Sequence, residues 1–510
     1  MTSELGTFLK ILIKNPPFIN PVYAVGLMLV WLLTGCGGDA SGGEQTVVSS
    51  GGPAPGARLF VNNVDGDDDN DGIDKPFKSL QYALDQLRPG DVLVVQNSGQ
   101  PYKSDIPEQI FDDNGQPLKT VSGFRLGTSG TATKPITIEG DSTLPPIIDQ
   151  EQDDFVTGSN TVLGLLLDCV SNIVVRNLTI INVNEAGITS SIEGACETNN
   201  ITLEGNTIYD VYGENYVGGI RLMGVSDVLI KENDIRNIKS RPVNEPQRFL
   251  TIGHRLSNIF IEKNTFESLD SGIVINAQGL GSTTFQPEEP ITNIKIHKNS
   301  FDQVKAPVNF HNRTNDSSGV NTTKTGVFRS VDISGNLFHG VEESAILVEL
   351  KGSVYQSESF CFFNNNFIDN ASTAIDISGV KNVEIFNNIF HPLQGLNNNI
   401  LETQLSVNNS IAYSDYNLYF ASAEHLRWKL GEDPPLQGIA EWRDAESAQL
   451  STKPGINSQA AVDPLFIDPL NNDFDLSDGS PALLAGRDGV SIGYDYSLPL
   501  DFSSNCRATF

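Results

Sequence analysis

The sequence is poor in positive charge. Lys and Arg total 33 against 63 Asp and Glu, which gives a formal net charge of -30. Binding to duplex nucleic acid and docking on anionic lipid both need clustered cations, so the charge balance argues against both kinds of partner. Long apolar runs are also missing, and none reaches the length of a bilayer-spanning helix. We find no Ser/His/Asp order, zinc-type Cys/His spacing or phosphate-binding loop, so no short motif specifies a reaction.

The N-terminal segment has the pattern of an export signal. Two lysines precede a short apolar run, Val22–Leu33, and this run ends in Leu33-Thr34-Gly35-Cys36. These four residues resemble the lipobox of bacterial lipoproteins. The resemblance implies that 1–36 is a signal peptide, that Cys36 is lipidated and that 37–57 is a flexible tether. A glycine, not an aspartate, follows Cys36, which favours the outer membrane or cell surface. The alternative is an ordinary signal peptide with a chance cysteine.

Export makes the other four cysteines informative, because disulfides persist outside the cytosol. Cys169 and Cys196 each lie a few residues before the first residue of equivalent predicted strands, so they belong to neighbouring repeats. We therefore expect a Cys169–Cys196 disulfide, which leaves Cys361 and Cys506 as the remaining pair. The alternative is four buried free thiols.

A short sequence motif, Asn-x-hydrophobic, repeats through the middle of the chain. Each copy is preceded by a segment in which apolar residues alternate with other residues. A second short strand follows each asparagine, and a third follows that one. The repeated asparagines are Asn206, Asn233, Asn264, Asn299, Asn336, Asn365, Asn388 and Asn417.

Three short strands per repeat, with no helix between them, predict an all-β solenoid in which each strand pairs with its equivalent one turn away. We expect a single-stranded parallel β-helix over 101–420, with the asparagines in an internal ladder. A C-terminal coil should occupy 421–510, and an N-terminal cap with the first strands 58–100. The alternative fold is a β-sandwich with asparagines in these places by chance.

The predicted cap contains an amphipathic helix. Phe77, Leu80, Leu84 and Leu87 would share one helical face, and Pro76 suits the first helical position. We expect this helix to cover the open end of the coil, as the end of a solenoid requires.

The opening of this region resembles the N-terminal signature of pectate-lyase-like right-handed β-helix proteins. The matching residues are Val61-Asn62-Asn63-Val64-Asp65-Gly66-Asp67, Lys75-Pro76-Phe77-Lys78-Ser79-Leu80 and Pro89-Gly90-Asp91-Val92-Leu93-Val94. With the repeats and a similar C-terminal tail, the resemblance covers roughly 58–490. It implies a right-handed coil, and the superfamily includes polysaccharide lyases, hydrolases and epimerases. Because no catalytic motif of the polygalacturonases, calcium-dependent pectate lyases or alginate epimerases has a clear counterpart, the resemblance does not select a reaction.

Insertions lengthen several repeats on one side. They occupy 279–290, 312–325 and 351–359 after the third strand, and 240–247 before it. Because equivalent insertions of a register-locked coil emerge along one edge, we expect them to wall a groove. The floor of this groove would be the outward residues of the third strands.

Cations cluster on this predicted floor and its walls. Our candidates for catalysis are Arg221, His254, His311 and Arg313. Our candidates for substrate binding are Arg241, Arg248, Arg255, Asn276, Asn309 and Glu349. Arginine can bind a uronate or sulfate bidentately, and a base beside a cation could abstract a C5 proton and stabilise the enolate. The alternative is that these arginines pair with nearby Asp and Glu in a solvated wall.

The acidic segment near the start suggests a Ca²⁺ site, because hard cations prefer clustered oxygens. Asp67, Asp69 and Asp71 imitate the start of an EF-hand loop, but Lys78 occupies its twelfth position, so that motif fails. A structural Ca²⁺ at this turn is one expectation, and a solvated turn is the other.

These patterns together predict a monomeric, lipid-anchored β-helix protein that handles an extracellular polysaccharide. A polysaccharide lyase is the function we favour from the sequence. The alternative is a non-catalytic carbohydrate-binding or surface-adhesion lipoprotein.

Overall fold

The computed structural model describes most of the chain after the N-terminal segment. The described ranges are 56–104, 108–111, 117–151, 160–190, 198–213, 217–240, 250–253, 257–276, 291–311, 327–350, 357–393, 398–403, 411–422, 425–445 and 450–494.

Among the described residues, the regular secondary structure is almost entirely β-strand. The first strands are β1 Arg58–Val61, β2 Val92–Val95, β3 Glu108–Phe111, β4 Pro117–Leu126, β5 Ile136–Gly140, β6 Ile147–Asp149, β7 Asn160–Leu167, β8 Ile173–Arg176, β9 Thr179–Val183, β10 Ala186–Thr189, β11 Thr198–Glu204, β12 Thr207–Gly213, β13 Gly218–Met223, β14 Val225–Lys231, β15 Asp234–Ser240, β16 Leu250–Gly253, β17 Ser257–Glu262 and β18 Thr265–Asn276.

The remaining strands continue the same pattern and then become shorter. They are β19 Ile291–His297, β20 Ser300–His311, β21 Phe328–Ser334, β22 Leu337–His339, β23 Ile346–Glu349, β24 Ser357–Phe363, β25 Asn366–Asn370, β26 Ile375–Ser378, β27 Val380–Phe386, β28 Ile389–Pro392, β29 Asn398–Thr403, β30 Ile411–Asp415, β31 Leu418–Tyr419, β32 Leu426–Leu430, β33 Leu436–Gln437, β34 Gln459–Ala460, β35 Phe466–Asp468 and β36 Asp473–Leu476.

Strands one turn apart pair in parallel, as the repeat predicts. The first strands of the turns form one sheet of 12 strands, in the order β1-β2-β5-β8-β11-β14-β17-β19-β21-β24-β27-β30. The second and third strands form a 22-stranded sheet, in which β18 and β20 each run through both positions without a break. We call these rows the first-, second- and third-strand ladders. The stacking begins at β1 and extends past residue 420, since β32 pairs with β29 and β34 with β31.

The predicted asparagine ladder is present at the corner between the first and second strands. Asn336 shows its unit: its Nδ2 donates to Oδ1 of Asn365 at 3.0 Å and to the carbonyl oxygen of Ile296 at 2.9 Å. Its own Oδ1 accepts from the backbone and side-chain nitrogens of Asn299, at 2.9 and 3.0 Å. Equivalent bonds link the other asparagines from Asn206 to Asn417. The ladder satisfies polar groups that the coil buries completely.

The residue before each ladder asparagine has left-handed backbone geometry. Lys298 has a φ of 53° and Gly335 a φ of 60°. Glycine adopts this conformation freely, whereas a lysine there carries backbone strain of about 1–2 kcal/mol. The adjacent asparagine hydrogen bonds offset this strain, so the corner tolerates several residue types before the asparagine.

The interior of the coil contains a continuous aromatic stack on the second-strand ladder. Ring centroids of successive turns are 4.8 to 5.3 Å apart, which follows from the spacing of the strands. The stack consists of Phe266, Phe301, Phe338, Phe367, Phe390 and Tyr419. Register-locked stacking therefore places an aromatic ring at each level of the core from Phe266 to Tyr419.

The N-terminal helix is shorter than the sequence pattern predicts. Helix α1 spans Leu80–Asp85, with Ser79 at its N-cap. Our prediction that the helical face includes Phe77 is wrong, because Phe77 is extended and forms a β-bridge with Val61. Phe77 exchanges backbone hydrogen bonds with Phe60 and Asn62 instead of starting the helix. Leu80, Ala83 and Leu84 pack in the main core, and the role of α1 as an end cap stays a prediction.

A second short helix, α2, spans Gly438–Arg443, and two 3₁₀ helices span Pro469–Asn471 and Arg487–Gly489. Trp442 of α2 is fully buried and stacks on Trp428 of β32. The C-terminal residues therefore continue the hydrophobic core at this end. Within the described ranges, no helix is both long and apolar enough to span a membrane.

Candidate active site

The outward residues of the third-strand ladder form two columns, which we call the third-strand face. One column contains Leu166, Thr189, Arg221, Val274, Asn309, Leu347, Asp376, Glu402 and Lys429, and the backbone of Thr251 takes the register position between Arg221 and Val274. The other contains Met223, His311, Glu349 and Ser378, and the backbones of Gly253 and Asn276 take the register positions between Met223 and His311. Parallel pairing spaces neighbouring members of a column by about 4.8 Å, so their side chains can act together.

Arg221 lies on this face but already has an anionic partner. It is 5 % exposed and forms an ion pair with Glu185. Its Nε also donates to Oγ1 of Thr189 at 3.5 Å. Glu185 in turn accepts a 2.6 Å hydrogen bond from Thr161 Oγ1. Arg221 therefore pairs with an acidic residue, as the alternative interpretation expects, but in a buried polar network and not in a solvated wall.

His311 and Glu349 are brought together by the register of β20 and β23. Nδ1 of His311 lies 3.7 Å from an Oε2 of Glu349, and both side chains are largely buried. Asn276 is in register with His311 on the preceding strand. Asn309 is buried and donates from Nδ2 to the carbonyl oxygen of Ala306 at 3.0 Å.

Several predicted residues lie outside the described ranges, and their roles stay predictions. They are Cys36, Cys196, Arg241, Arg248, His254, Arg255 and Arg313. The Cys169–Cys196 disulfide stays a prediction for the same reason.

The third-strand face also carries an acidic cluster that contains the predicted residue Glu349 and two carboxyl residues that our sequence reasoning missed. Asp376 of β26 is in register with Glu402 of β29, and Glu402 is in register with Lys429 of β32. Glu349 stands one strand before Asp376, in the neighbouring column. We call Glu349, Asp376 and Glu402 the acidic cluster.

Asp376 is a member of the cluster with a raised pKa. Burial raises its pKa to about 6, and repulsion from Glu402 and then Glu349 adds to this, while Lys429 opposes it. Within the described part of the chain, its buried Oδ1 has no hydrogen-bond partner. A carboxyl group with this pKa carries a proton at mildly acidic pH and can donate it.

Glu402, unlike Asp376, has polar partners at both carboxylate oxygens. Nζ of Lys429 lies 2.6 Å from its Oε1, and Nδ2 of Asn399 donates to its Oε2 at 3.1 Å. The same contact raises the pKa of Lys429, so this lysine stays protonated through neutral pH. Neighbouring carboxyl groups with such different surroundings can take the roles of acid and base.

Arg427 adds a cation beside the cluster. It lies two residues before Lys429 on β32, so both side chains point outward. Its Nε is buried without a hydrogen-bond partner among the residues that the structure describes. A hydroxyl or carboxylate of a bound sugar could satisfy this donor.

The acidic turn near the start is held by its own hydrogen bonds. Oδ1 of Asp71 accepts from the backbone nitrogens of Ile73 and Asp74 at 2.9 and 3.0 Å, and Oδ1 of Asp67 accepts from that of Asp69 at 3.1 Å. The hydrogen bond from Ile73 is the main cause of a lowered pKa at Asp71. In the described ranges no three His, Cys, Asp or Glu side chains converge as metal ligands. A Ca²⁺ bound by Asp67, Asp69 and Asp71 stays a prediction.

Part of the coil matches a known protein-family model. Residues 157–355 match the family model described as "Right handed beta helix region". The chain is a right-handed parallel β-helix. The β-helix fold class predicted from the sequence is thereby confirmed, and the match supports the β-helix resemblance over 157–355. No curated protein matches the chain in sequence.

Solved structures with a similar coil have low sequence identity to this β-helix. A lacto-N-biosidase from Eubacterium ramulus is 16 % identical, with a TM-score of 0.42, and the match covers 74 % of this chain and 66 % of that one. The pectate lyase Pel9A is 14 % identical, with a TM-score of 0.43, covering 88 % and 96 %. A rhamnogalacturonan lyase is 13 % identical, with a TM-score of 0.40, covering 83 % and 96 %. This chain thus spans about two thirds of the lacto-N-biosidase.

Proposed function

We propose that this β-helix is an exported enzyme that hydrolyses glycosidic bonds of an extracellular polysaccharide. The single observation that supports it best is the pairing of Asp376, whose pKa is about 6, with an in-register Glu402 held by Lys429. Glycoside hydrolysis needs one carboxylic acid and one carboxylate on either side of the bond. The repeating outward positions of the third-strand face offer a linear binding surface, which suits a polymer.

In this reaction Asp376 donates its proton to the glycosidic oxygen as that oxygen leaves the anomeric carbon. Glu402, in register one strand away, attacks the anomeric carbon as that bond breaks, because carboxyl groups about 5 Å apart leave no room for a water molecule between them. Asp376 then takes a proton from a water molecule whose oxygen displaces Glu402 from the anomeric carbon, so two hydroxyl groups result and both carboxyl groups are restored. Lys429 forms an ion pair with Glu402 and is a positioning residue.

Elimination by a lyase, which the sequence analysis favoured, is the second candidate. Arg427 supports it, because a uronate carboxylate could occupy the unsatisfied Nε. The acidic cluster weighs against it, because three carboxyl groups disfavour an anionic sugar ring beside them. Hydrolysis of a neutral or weakly charged polymer therefore agrees better with the local charge.

The proposal includes the cellular localisation that the sequence predicts. Lipidated Cys36 would hold a monomeric coil at the outer membrane or cell surface, with 37–57 as the tether. Export of this kind places the third-strand face where polysaccharides are found.

The test is to incubate the protein with pectate, alginate, glycosaminoglycans, xylan and galactan. New reducing ends and absorbance at ~235 nm are measured in the same samples, because elimination creates an unsaturated uronate that absorbs there. If the enzyme is a hydrolase, new reducing ends will form without any increase in this absorbance. Absorbance rising with the reducing ends would establish the lyase instead. Retained binding without any cleavage would establish the non-catalytic alternative. The double variant Asp376→Asn/Glu402→Gln, purified in parallel, excludes a contaminating activity.

A further inference from the structure

A cavity of about 410 Å³ opens on the third-strand face near the N-terminal end of the coil. Its walls come from α1, which contributes Gln81 and Asp85, and from β4 and β7. The volume is within the range of small-molecule sites. None of the residues of the acidic cluster lines it.

The cavity has an apolar floor. Val121, Leu163 and Leu166 form a small hydrophobic cluster with Ala186, separate from the core inside the coil. Leu166 is an outward residue of β7, and next to it β4 and β7 pair across a bulge between Ser122 and Phe124. Gly123 permits this bulge: its φ is 139°, and a Cβ there would lie 2.5 Å from the carbonyl oxygen of Leu163.

The rim of the cavity is polar and fixed. The side chain of Gln81 forms two hydrogen bonds with the backbone of Arg125. Its Nε2 donates to the carbonyl oxygen at 2.9 Å, and its Oε1 accepts from the backbone nitrogen at 2.8 Å. Nε of Arg125 donates to Asp168 at 2.9 Å. These bonds hold α1 against β4 and leave Asp85, Asp168 and Arg125 around the opening.

We infer that this cavity is a second carbohydrate-binding site, distinct from the acidic cluster, and that it retains polysaccharide during cleavage. A sugar ring offers apolar C–H faces and a periphery of hydroxyl groups, which match an apolar floor with a rim of carboxylate and guanidinium groups. The inference rests on the proposed function for the nature of the ligand.

The register gives the separation of the two sites. Leu166 of the cavity floor and Asp376 are in one column, seven strand steps apart. At about 4.8 Å a step, the sites are roughly 34 Å apart along the coil. A polymer can reach both sites at once, whereas a trisaccharide cannot. Engagement of both sites then raises the effective concentration of the polymer at the acidic cluster.

Gly127 is a position at which a large side chain could fill the cavity. It lines the cavity, its φ is not in the left-handed region, and an added Cβ would meet nothing within 4 Å. Gly127→Trp should therefore fill the site without disturbing the fold. Gly479→Trp is the matched control, since Gly479 is equally open but lies in the C-terminal coil.

The experiment measures binding of each polymer of the panel by affinity electrophoresis, with both tryptophan variants made in the Asp376→Asn/Glu402→Gln background. Gly127→Trp should weaken polymer binding about tenfold relative to Gly479→Trp. In the active background, Gly127→Trp should lower kcat/KM for the polymer about tenfold more than kcat/KM for a trisaccharide. Equal polymer binding by the two variants, or no polymer binding by the parent, would overturn the inference. Because binding is measured without cleavage, a failure of the proposed hydrolysis would be seen separately.

Discussion

Asp376 and Glu402 occupy the same outward position on consecutive turns of the coil, yet their surroundings differ. Glu402 is 2.6 Å from the ammonium group of Lys429, whereas a buried oxygen of Asp376 has no partner among the described residues. The register of β26 and β29 creates this pair, and the stack of β32 on β29 supplies the lysine. A repetitive scaffold has thereby produced one asymmetric pair of carboxyl groups.

Activity should fall as the pH rises through about 6. Asp376 acts as the acid only while protonated, and its pKa is about 6, so the competent fraction declines above that value. Asp376→Asn should lower kcat/KM by about 10²–10⁴-fold and remove this decline. Asp332→Asn is the control, because burial also raises the pKa of Asp332 to about 6, but Asp332 lies on the first-strand ladder. A descending limb near pH 6 that survives in Asp376→Asn would exclude Asp376 as the acid.

The stability of the coil should depend on pH through Asp332. Its folded pKa is near 6 and its unfolded value near 3.8, so the folded state binds more protons between these values. The free energy of unfolding therefore decreases as the pH rises from 4 to 6. Asp332→Asn should remove up to about 3 kcal/mol of this decrease. Urea unfolding at pH 4 and pH 7 checks this, and equal pH dependence in both proteins would contradict it.

Loss of one ladder asparagine should be costly. Asn336→Ala leaves buried groups of Asn299, Asn365 and Ile296 without their side-chain partner, which should reduce the free energy of unfolding by about 3–5 kcal/mol. Asn471→Ala removes an exposed hydrogen bond to Asp468 and should cost less than about 0.5 kcal/mol. Denaturant unfolding of both variants measures the difference. Similar midpoints for Asn336→Ala and Asn471→Ala would show that the ladder does not stabilise the coil.

The fold was largely predictable, because every turn repeats the same physical requirement. Alternation of apolar residues sets which face of each strand is buried, and an asparagine at each corner keeps the turns in register. Phe77 was misassigned because its spacing from Leu80 and Leu84 suits a helix equally well. Its backbone bonds to Phe60 and Asn62, which are not visible in the local pattern, decide in favour of an extended conformation.

The acidic cluster was harder to find from sequence. Asp376 sits in a third strand that the repeat identifies, and its outward position was a usable signal. Glu402 lies in β29, whose pairing with β32 shifts register between Asn399 and Leu401, so counting residues along these two strands does not align Glu402 with Lys429. Lys429 lies beyond the last asparagine of the ladder. The pKa of Asp376 depends on burial and on neighbours from other turns, which no local pattern specifies.

The lipid anchor can be tested independently of the reaction. Cys36→Ser should move the protein from the membrane fraction to the soluble exported fraction, because the tether would carry no acyl chains. Mass spectrometry of the mature N-terminus gives the direct measurement for both proteins. A soluble wild-type protein, or a Cys36→Ser variant still in the membrane fraction, would contradict the predicted anchor.

The most direct test of the account is the rate of reducing-end release by wild type, Glu402→Gln and Glu358→Gln on one substrate polymer. Glu358 is the matched control, because it too is ion-paired, with Arg329 at 3.1 Å, but lies on the first-strand ladder. We predict that Glu402→Gln loses at least about 10³-fold in kcat while Glu358→Gln keeps the wild-type rate. A Glu402→Gln variant within tenfold of the wild-type rate would contradict the assignment of the acidic cluster as the catalytic site.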